Sequence, residues 1–442
     1  MGFGVWSELF SCPRGLAGGA GEVGFKRVKI EEQRGCGNVG SGHGRLICSE
    51  NLDHIANLRP TAVNAILADV REARAKGIEV VSLMRGEPDF RTPEHIVEAC
   101  VRALRDGRTA YPDNRGEKNF REAIATKLLR DNGLAYDAGA EILATSGATF
   151  GIYAALTALI SEGDEVLLPE PIYDAYHSPV ILAGGTVRTA SATIAGGRFS
   201  IGIEALESAW TPRVRVMILN TPWNPVGTVF TRDELRAIGD FCVRKDIVLV
   251  SDEIYEAITY DGHDHVSPIA AAPELRDRSV IVNSLSKTYA MTGWRVGYCA
   301  GPKRFIDRMY LALAQSSRGP ATFAQDAAAT ALSGPQACVT AMRDEYARRR
   351  RLVASELPMV TPPEGGFFAT PDIRRSGEPS DSVRRRLLWE NGVAVAHGSA
   401  YGAAGEGFLR VSFASGGDVL TEGLRRLREG LRDEAKNCVA EH

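Results

Sequence analysis

The sequence predicts an α/β protein: a large domain with a mostly parallel sheet covered by helices on both faces, plus a smaller α+β domain. Three observations predict it. Apolar runs (VLLP, VMIL, IVLV, SVIV) alternate with amphipathic stretches between residues 141 and 287, as strands buried on both faces do. After about residue 325 this alternation gives way to a long charged helix and short apolar segments. The length, 442 residues, exceeds what one ordinary core fills.

Residues 1–45 are glycine-rich and aperiodic, and a disordered or loosely attached extension is expected there. Its GCGNVG run at 35–40 matches a dinucleotide fingerprint, but SGHGRL follows, which opens no helix to face a pyrophosphate. From residue 60, PTAVNAILADVREARAKG reads as a helix stopped by Gly77. VVSLMRGEPDF is then a short strand running into a turn. In TPEHIVEACVRALRDG, Thr92 is expected at the N-cap and Pro93 at the first helical position. NFREAIATKLLRDNG puts Phe120, Ile124 and Leu128 on one helical face.

EILATSG, DEVLLPEP, GGTVRTAS and RVRVMILNTP read as strands, with helices at ATFGIYAALTALISEG and ALESA. TRDELRAIGDFCVRKD carries a Thr231–Glu234 capping box and leads to the strands IVLVSDE and SVIVNSLSK. The second unit holds the helix VTAMRDEYARRRRLVASEL, then GGFFAT, DSVRRRLLWENG, VAVAHG, FLRVSFA and a terminal helix. Its RRRR run at 348–351 is expected to be a solvated helix face. The division expected is 46–91 contributing to the small domain, 92–328 as the large domain and 329–442 completing the small one.

Net charge is −3, which offers no basic field for nucleic acid and no polybasic patch for a membrane. No apolar run reaches the roughly 18 residues of a span. Eight scattered cysteines without a CxxC pair suggest reduced thiols in the cytoplasm. The first residues, MGFGVWSELF, form neither a secretory signal nor a myristoylation site. No His pair, HExxH motif or acidic cluster offers a metal site.

In open α/β sheets, ligands sit beyond the carboxyl ends of the strands. SGAT (146–149) opens a helix there, and NTPWNPVG, DEIY and SLSK follow the third, fourth and fifth apolar strands. A helix N-terminus with Ser284, Ser286 and Arg295 suits a phosphate dianion. An acid able to hold a proton on a ring nitrogen, with Lys287 able to form an imine, is what pyridoxal phosphate requires.

SLSKTYAMTGWRVGY resembles the lysine segment of the class I aminotransferases, fold type I of the pyridoxal phosphate enzymes. GEPDF-x-TP, Tyr111-x4-Gly116, NTPWNPVG, DEIY and GFLRVSFA match in family order over residues 58–432. The resemblance implies an aspartate aminotransferase-like fold with a seven-stranded sheet, and the cofactor pyridoxal 5'-phosphate. It implies that Lys287 bonds the cofactor and moves protons, and that Asp252 pairs with the pyridine nitrogen. Tyr255 and Asn224 would bond the phenolic oxygen and Tyr173 would stack on the ring. Gly147, Ala148, Thr149, Ser284, Ser286 and Arg295 would hold the phosphate. Arg410, beside the Gly86 backbone, would clasp the substrate α-carboxylate. Tyr111 would reach the phosphate of a neighbouring subunit, which implies a homodimer with shared sites.

The implied activity is amino-group transfer between an L-amino acid and a 2-oxo acid. Two other readings stand beside it: elimination, substitution or C–C bond formation with the same cofactor, and a non-catalytic regulator that kept the fold. Some residues depart from the family pattern, Val226 only peripherally. Val226 replaces the usual Thr or Ser of the NP-x-G turn, and His397, read as a loop residue, stands where Pro is common; Tyr401 stands where Phe is frequent. Thr149 occupies a place where some aspartate-using relatives carry a lysine for the second carboxylate, and Arg318 is a candidate replacement. Tyr176 is read as plain core.

Overall fold

The computed structural model describes residue 58 and residues 60–440, with side chains as far as 432. The expected extension over 1–45, its GCGNVG run and most of 46–59 lie outside the described residues. The strands are β1 (Val81–Ser82), β2 (Ile142–Thr145), β3 (Glu165–Glu170), β4 (Thr186–Ser191), β5 (Thr193–Ala195), β6 (Arg198–Ser200) and β7 (Val214–Asn220). They continue with β8 (Val248–Asp252), β9 (Ser279–Ser284), β10 (Gly297–Ala300), β11 (Phe368–Ala369), β12 (Val393–Ala394), β13 (Ala396–His397) and β14 (Leu409–Ser412).

Seven of these form one sheet in the order β2-β10-β9-β8-β7-β3-β4. Four pairings, β9 with β8, β8 with β7, β7 with β3 and β3 with β4, are parallel. β10 is antiparallel to both neighbours. The mostly parallel seven-stranded sheet is therefore as expected, with β10 the strand that the sequence pattern did not reveal. Alternate side chains feed two cores. Val216 and Ile218 of β7 join Val250, Val280 and Val282 on one face, while Met217 and Leu219 join Leu249 and Ile281 on the other. Each such side chain contributes roughly 1.5–3 kcal/mol on burial, which is why these strands are apolar throughout.

Between β4 and β7, β5 and β6 form a hairpin. The helix Arg232–Arg244 begins with the expected capping box, both halves of Thr231–Glu234 being present. Phe120, Ile124 and Leu128 are buried on one face of Lys118–Asn132. The helix expected from Thr92 instead starts at Glu94 with Pro93 in the cap position. Thr92 is drawn away: its hydroxyl donates to Ala290 O (2.8 Å) and accepts from Trp294 Nε1 (3.0 Å).

The C-terminal part carries the antiparallel sheet β11-β14-β13, and β1 pairs in parallel with β12. The helix Ala337–Glu356 packs its apolar residues Met342, Tyr346 and Val353 into a third core. The RRRR run is not simply a solvated face. Arg349 is buried, with Nη1 donating to Asp89 Oδ1 (2.9 Å) and Ala414 O (2.6 Å) and Nε to Glu345 Oε1 (2.8 Å). Removing one partner of such a buried pair leaves an uncompensated charge, so this arginine ties the helix to the loop after β1.

Candidate active site

Sheet direction brings the chemistry together. The parallel strands β3, β7, β8 and β9 end on one edge, at Glu170, Asn220, Asp252 and Ser284. β2 and β9 both run antiparallel to β10, so β2 ends there too, and β10 begins there just after Arg295. The order turns back between β3 and β7, the kind of switch point where a crevice forms. A cavity of about 520 Å³ lies on this edge.

Of the residues expected at the site, Gly86, Ala148, Thr149, Tyr173, Asn224, Asp252, Tyr255, Ser284, Ser286, Lys287, Arg295 and Arg410 line this cavity. Lys287 sits on the short helix Leu285–Thr288, and its Nζ donates to Gly86 O (2.6 Å). Burial, reinforced by Arg295 and Arg410, lowers its pKa to about 8. Asp252 is buried at the end of β8, and burial raises its pKa to about 6. The Tyr176 hydroxyl, donating to Asp252 Oδ2 at 2.6 Å, and the Ile254 N–H at 3.3 Å oppose that rise. Tyr176 is thus a correction to the sequence reading, since it is buried but holds the carboxylate rather than filling core.

Arg410, on β14, is buried. Its Nη2 donates to Met84 O (2.8 Å) and its Nη1 approaches Asn224 Oδ1 (3.4 Å). The guanidinium carbon lies 4.1 Å from the Phe368 ring centroid and 5.0 Å from that of Tyr401. Its Nε finds no acceptor, and no ion pair ties it to a carboxylate among the described residues. A buried cation in that state is costly without a counter-charge. Tyr255 packs edge-on against Phe367 (5.3 Å), and burial holds its phenol far above the usual value, hence neutral.

Gly147 precedes the helix Ala148–Leu159 and does not line the cavity. Its own N–H is donated to Thr145 O (2.7 Å), so the outward donors are the first-turn N–H groups of Ala148 and Thr149, which a helix leaves unpaired. Its φ of 85° suits glycine, and a Cβ there would lie 2.5 Å from Arg295 Nη2. Ser284 Oγ accepts from the Ser286 N–H (3.4 Å), which closes the turn leading to Lys287. Tyr111 lies outside the cavity, 85% exposed, with the Arg318 guanidinium 5.4 Å from its ring centroid. Arg318 and His397 do not line the cavity either; His397 turns to Ser399 Oγ (2.9 Å) and Asp381 (3.6 Å).

Sequence reasoning missed the wall opposite the sheet. Val63, Asn64 and Leu67, from the first turns of the helix Ala62–Ala75, border the cavity. Asp174 accepts from the Ala62 N–H (2.6 Å), fixing that helix end over the opening. Arg85, just before the GEPDF motif, and Glu87, inside it, flank Gly86 there, and that motif was the available signal. A second cluster, Glu253, Glu256 and His265, brings metal-type ligands together. Its acids are already satisfied: Lys127 and Asn283 on Glu256, and Ser251, Ser267 and His265 on Glu253.

One sheet edge thus gathers a buried lysine amine, a buried acid, a helix N-terminus and a buried arginine around one cavity. The chain belongs to aminotransferase class I and II, whose family model matches residues 78–427. It is 37% identical over 391 residues to the aspartate aminotransferase of Geobacillus stearothermophilus, covering 86% of this chain and 98% of that protein. It is 39% identical over 368 residues to aromatic-amino-acid aminotransferase 2 of Thermococcus litoralis, covering 81% and 94%. The solved aspartate aminotransferase of Thermus thermophilus with maleate superposes with a TM-score of 0.80 at 35% identity, covering 86% and 98%. The protein is a transaminase that moves an amino group between an amino acid and a 2-oxo acid, and members of this family depend on pyridoxal phosphate. No helix among the described residues is long and apolar enough to cross a membrane.

Proposed function

We propose that this cavity holds pyridoxal 5'-phosphate and an L-amino acid together, with the roles divided among the residues as follows. The observation that carries the reading is Lys287: a buried amine with its pKa lowered to about 8, hydrogen-bonded to a carbonyl rather than paired with an acid. About a tenth of such an amine is neutral, and so able to react, at pH 7. When bound, the cofactor supplies an aldehyde for the lysine and a ring that accepts electron density from the substrate Cα.

The first-turn N–H groups of Ala148 and Thr149, with Ser284, Ser286 and Arg295, bind the phosphate, and Gly147 leaves Arg295 room to reach it. Asp252, ionised at neutral pH with a pKa of about 6, holds a proton on the ring nitrogen. Tyr255 and Asn224 bond the phenolic oxygen, and Tyr173 packs on the ring. Arg410 takes the α-carboxylate in a bidentate fork beside the Gly86 backbone. Lys287 Nζ, once free, takes the proton from Cα. Tyr111, almost wholly exposed in one chain, reaches the phosphate of a second copy in a homodimer. The cytoplasm suits the described cysteines Cys100, Cys242, Cys299 and Cys338, all unpaired.

The test is a single turnover. Holoenzyme mixed with an amino acid and no acceptor should release one 2-oxo acid per site while its cofactor is left in the amine form. Ammonia release with the aldehyde form retained would overturn the assignment in favour of elimination. A second expectation concerns pH. The lowered pKa of Lys287 means that its neutral form fills as pH rises through about 8. Capture of added pyridoxal phosphate by apo-protein should therefore quicken about tenfold per pH unit below that point and level off above it. Acceleration continuing to the ordinary lysine value of about 10.4 would contradict the burial effect.

A further inference from the structure

We propose that Glu87 and Thr292 are a positioning pair for amino-group transfer: their hydrogen bond clamps the segment that meets Lys287 and Arg410 onto the turn that presents Arg295. The inference rests on the function proposed above. Both side chains line the cavity, and Thr292 Oγ1 donates to Glu87 Oε1 at 3.0 Å. Neither residue is assigned to the cofactor or to the substrate.

Backbone carbonyls on the two segments hold three cations of the site. Met84 O accepts from Arg410 Nη2 (2.8 Å), and Gly86 O accepts from Lys287 Nζ (2.6 Å). On the other side Thr292 O accepts from Arg295 Nη1 (3.0 Å). The segments belong to different sheets: 84–87 follows β1, which pairs with β12, whereas 292–295 leads into β10. The bond from Thr292 to Glu87 therefore bridges the α-carboxylate side of the cavity to its phosphate side. The turn itself needs holding. Arg295 has a φ of 55°, a left-handed conformation that a non-glycine residue keeps only where its surroundings fix it. A second bridge, from Thr92 to Ala290 O and Trp294 Nε1, supports the same turn, but Thr92 does not line the cavity.

Charge distinguishes the two bridges. The charged groups that bear on Lys287 are Glu87 after β1, Asp252 at the end of β8, Arg295 before β10 and Arg410 on β14. Burial and the two arginines lower the lysine pKa, while Glu87 and Asp252 oppose them. Asp252 is held by the Tyr176 hydroxyl at 2.6 Å. Glu87 is held by Thr292, and its other oxygen lies 3.8 Å from Nη1 of the solvent-exposed Arg85. Without the Thr292 hydroxyl, the carboxylate loses the contact that keeps it at the cavity wall.

The experiment follows capture of added pyridoxal phosphate by full-length apo-protein across pH, with kcat/KM of the holoenzyme for aspartate and phenylalanine as the second readout. In the natural protein capture should level off near pH 8. Glu87→Gln should move that point to lower pH, because a nearby carboxylate favours the charged amine. Thr292→Val should move it the same way and lower kcat/KM about tenfold, while Thr292→Ser, which keeps the donor, should restore both. Thr92→Val should lower the melting temperature and leave the point where it was. Adding Thr292→Val to Glu87→Gln should change almost nothing further. An unmoved point in Glu87→Gln would overturn the proposal, as would serine behaving like valine at 292 or full addition of the two shifts. An equal shift in Thr92→Val would also overturn it, since the effect would then belong to the turn as a whole. If the natural holoenzyme forms no 2-oxo acid from either amino acid, the proposed function fails, and the capture curves still decide whether Glu87 and Thr292 act as a pair.

Discussion

Replacing Lys287 with alanine should lower turnover by at least about 10⁴-fold, and borohydride should no longer fix the cofactor to the chain. Both effects follow from one atom. Nζ is the group assigned both to bond the cofactor and to carry the Cα proton, and among the described residues no other lysine lines the cavity. Cofactor affinity should fall much less, because the phosphate contacts of Ala148, Thr149, Ser284, Ser286 and Arg295 remain. Stability offers a second readout that separates chemistry from misfolding. Lys287 is buried and its pKa is lowered, so its charged form is disfavoured in the fold. The apo-variant should melt no lower than the parent. Turnover within tenfold of the parent, with the variant folded, would remove Lys287 from the reaction.

What the sequence made legible was what lies next to an apolar strand. Lys287, Asp252 and Asn224 each follow a run buried on both faces, and parallel pairing carries all of them to one edge. The residues missed are bound across long separations that no local pattern records. Tyr176 reaches Asp252 across 76 positions, Asp174 holds the Ala62 N–H across 112, and Arg349 meets Asp89 across 260. β10 escaped for a different reason. It has four residues, opens with glycine and runs antiparallel inside a parallel sheet, so neither length nor alternation marks it. Thr92 shows local rules losing to tertiary ones: a good capping side chain was taken by Ala290 and Trp294.

Asp252→Asn should lower kcat by about 10³-fold, or roughly 4 kcal/mol in the barrier. Burial raises the carboxyl pKa only to about 6, so at neutral pH the natural side chain is charged and can hold a proton on a ring nitrogen. The amide presents a dipole and cannot. Tyr176→Phe acts on the same group at one remove. The Tyr176 hydroxyl donates to Asp252 Oδ2 at 2.6 Å, and its loss leaves a buried carboxylate short of a donor, which should cost about 1–3 kcal/mol. A fall in kcat of about tenfold is expected, with the amino-acid KM moved far less, because neither residue is assigned to the substrate's carboxylate. The two changes together test whether Tyr176 works through Asp252. In that case Tyr176→Phe added to Asp252→Asn should cost almost nothing further, whereas independent roles would multiply. Full multiplication of the two losses would show that Tyr176 serves the site by some route other than Asp252.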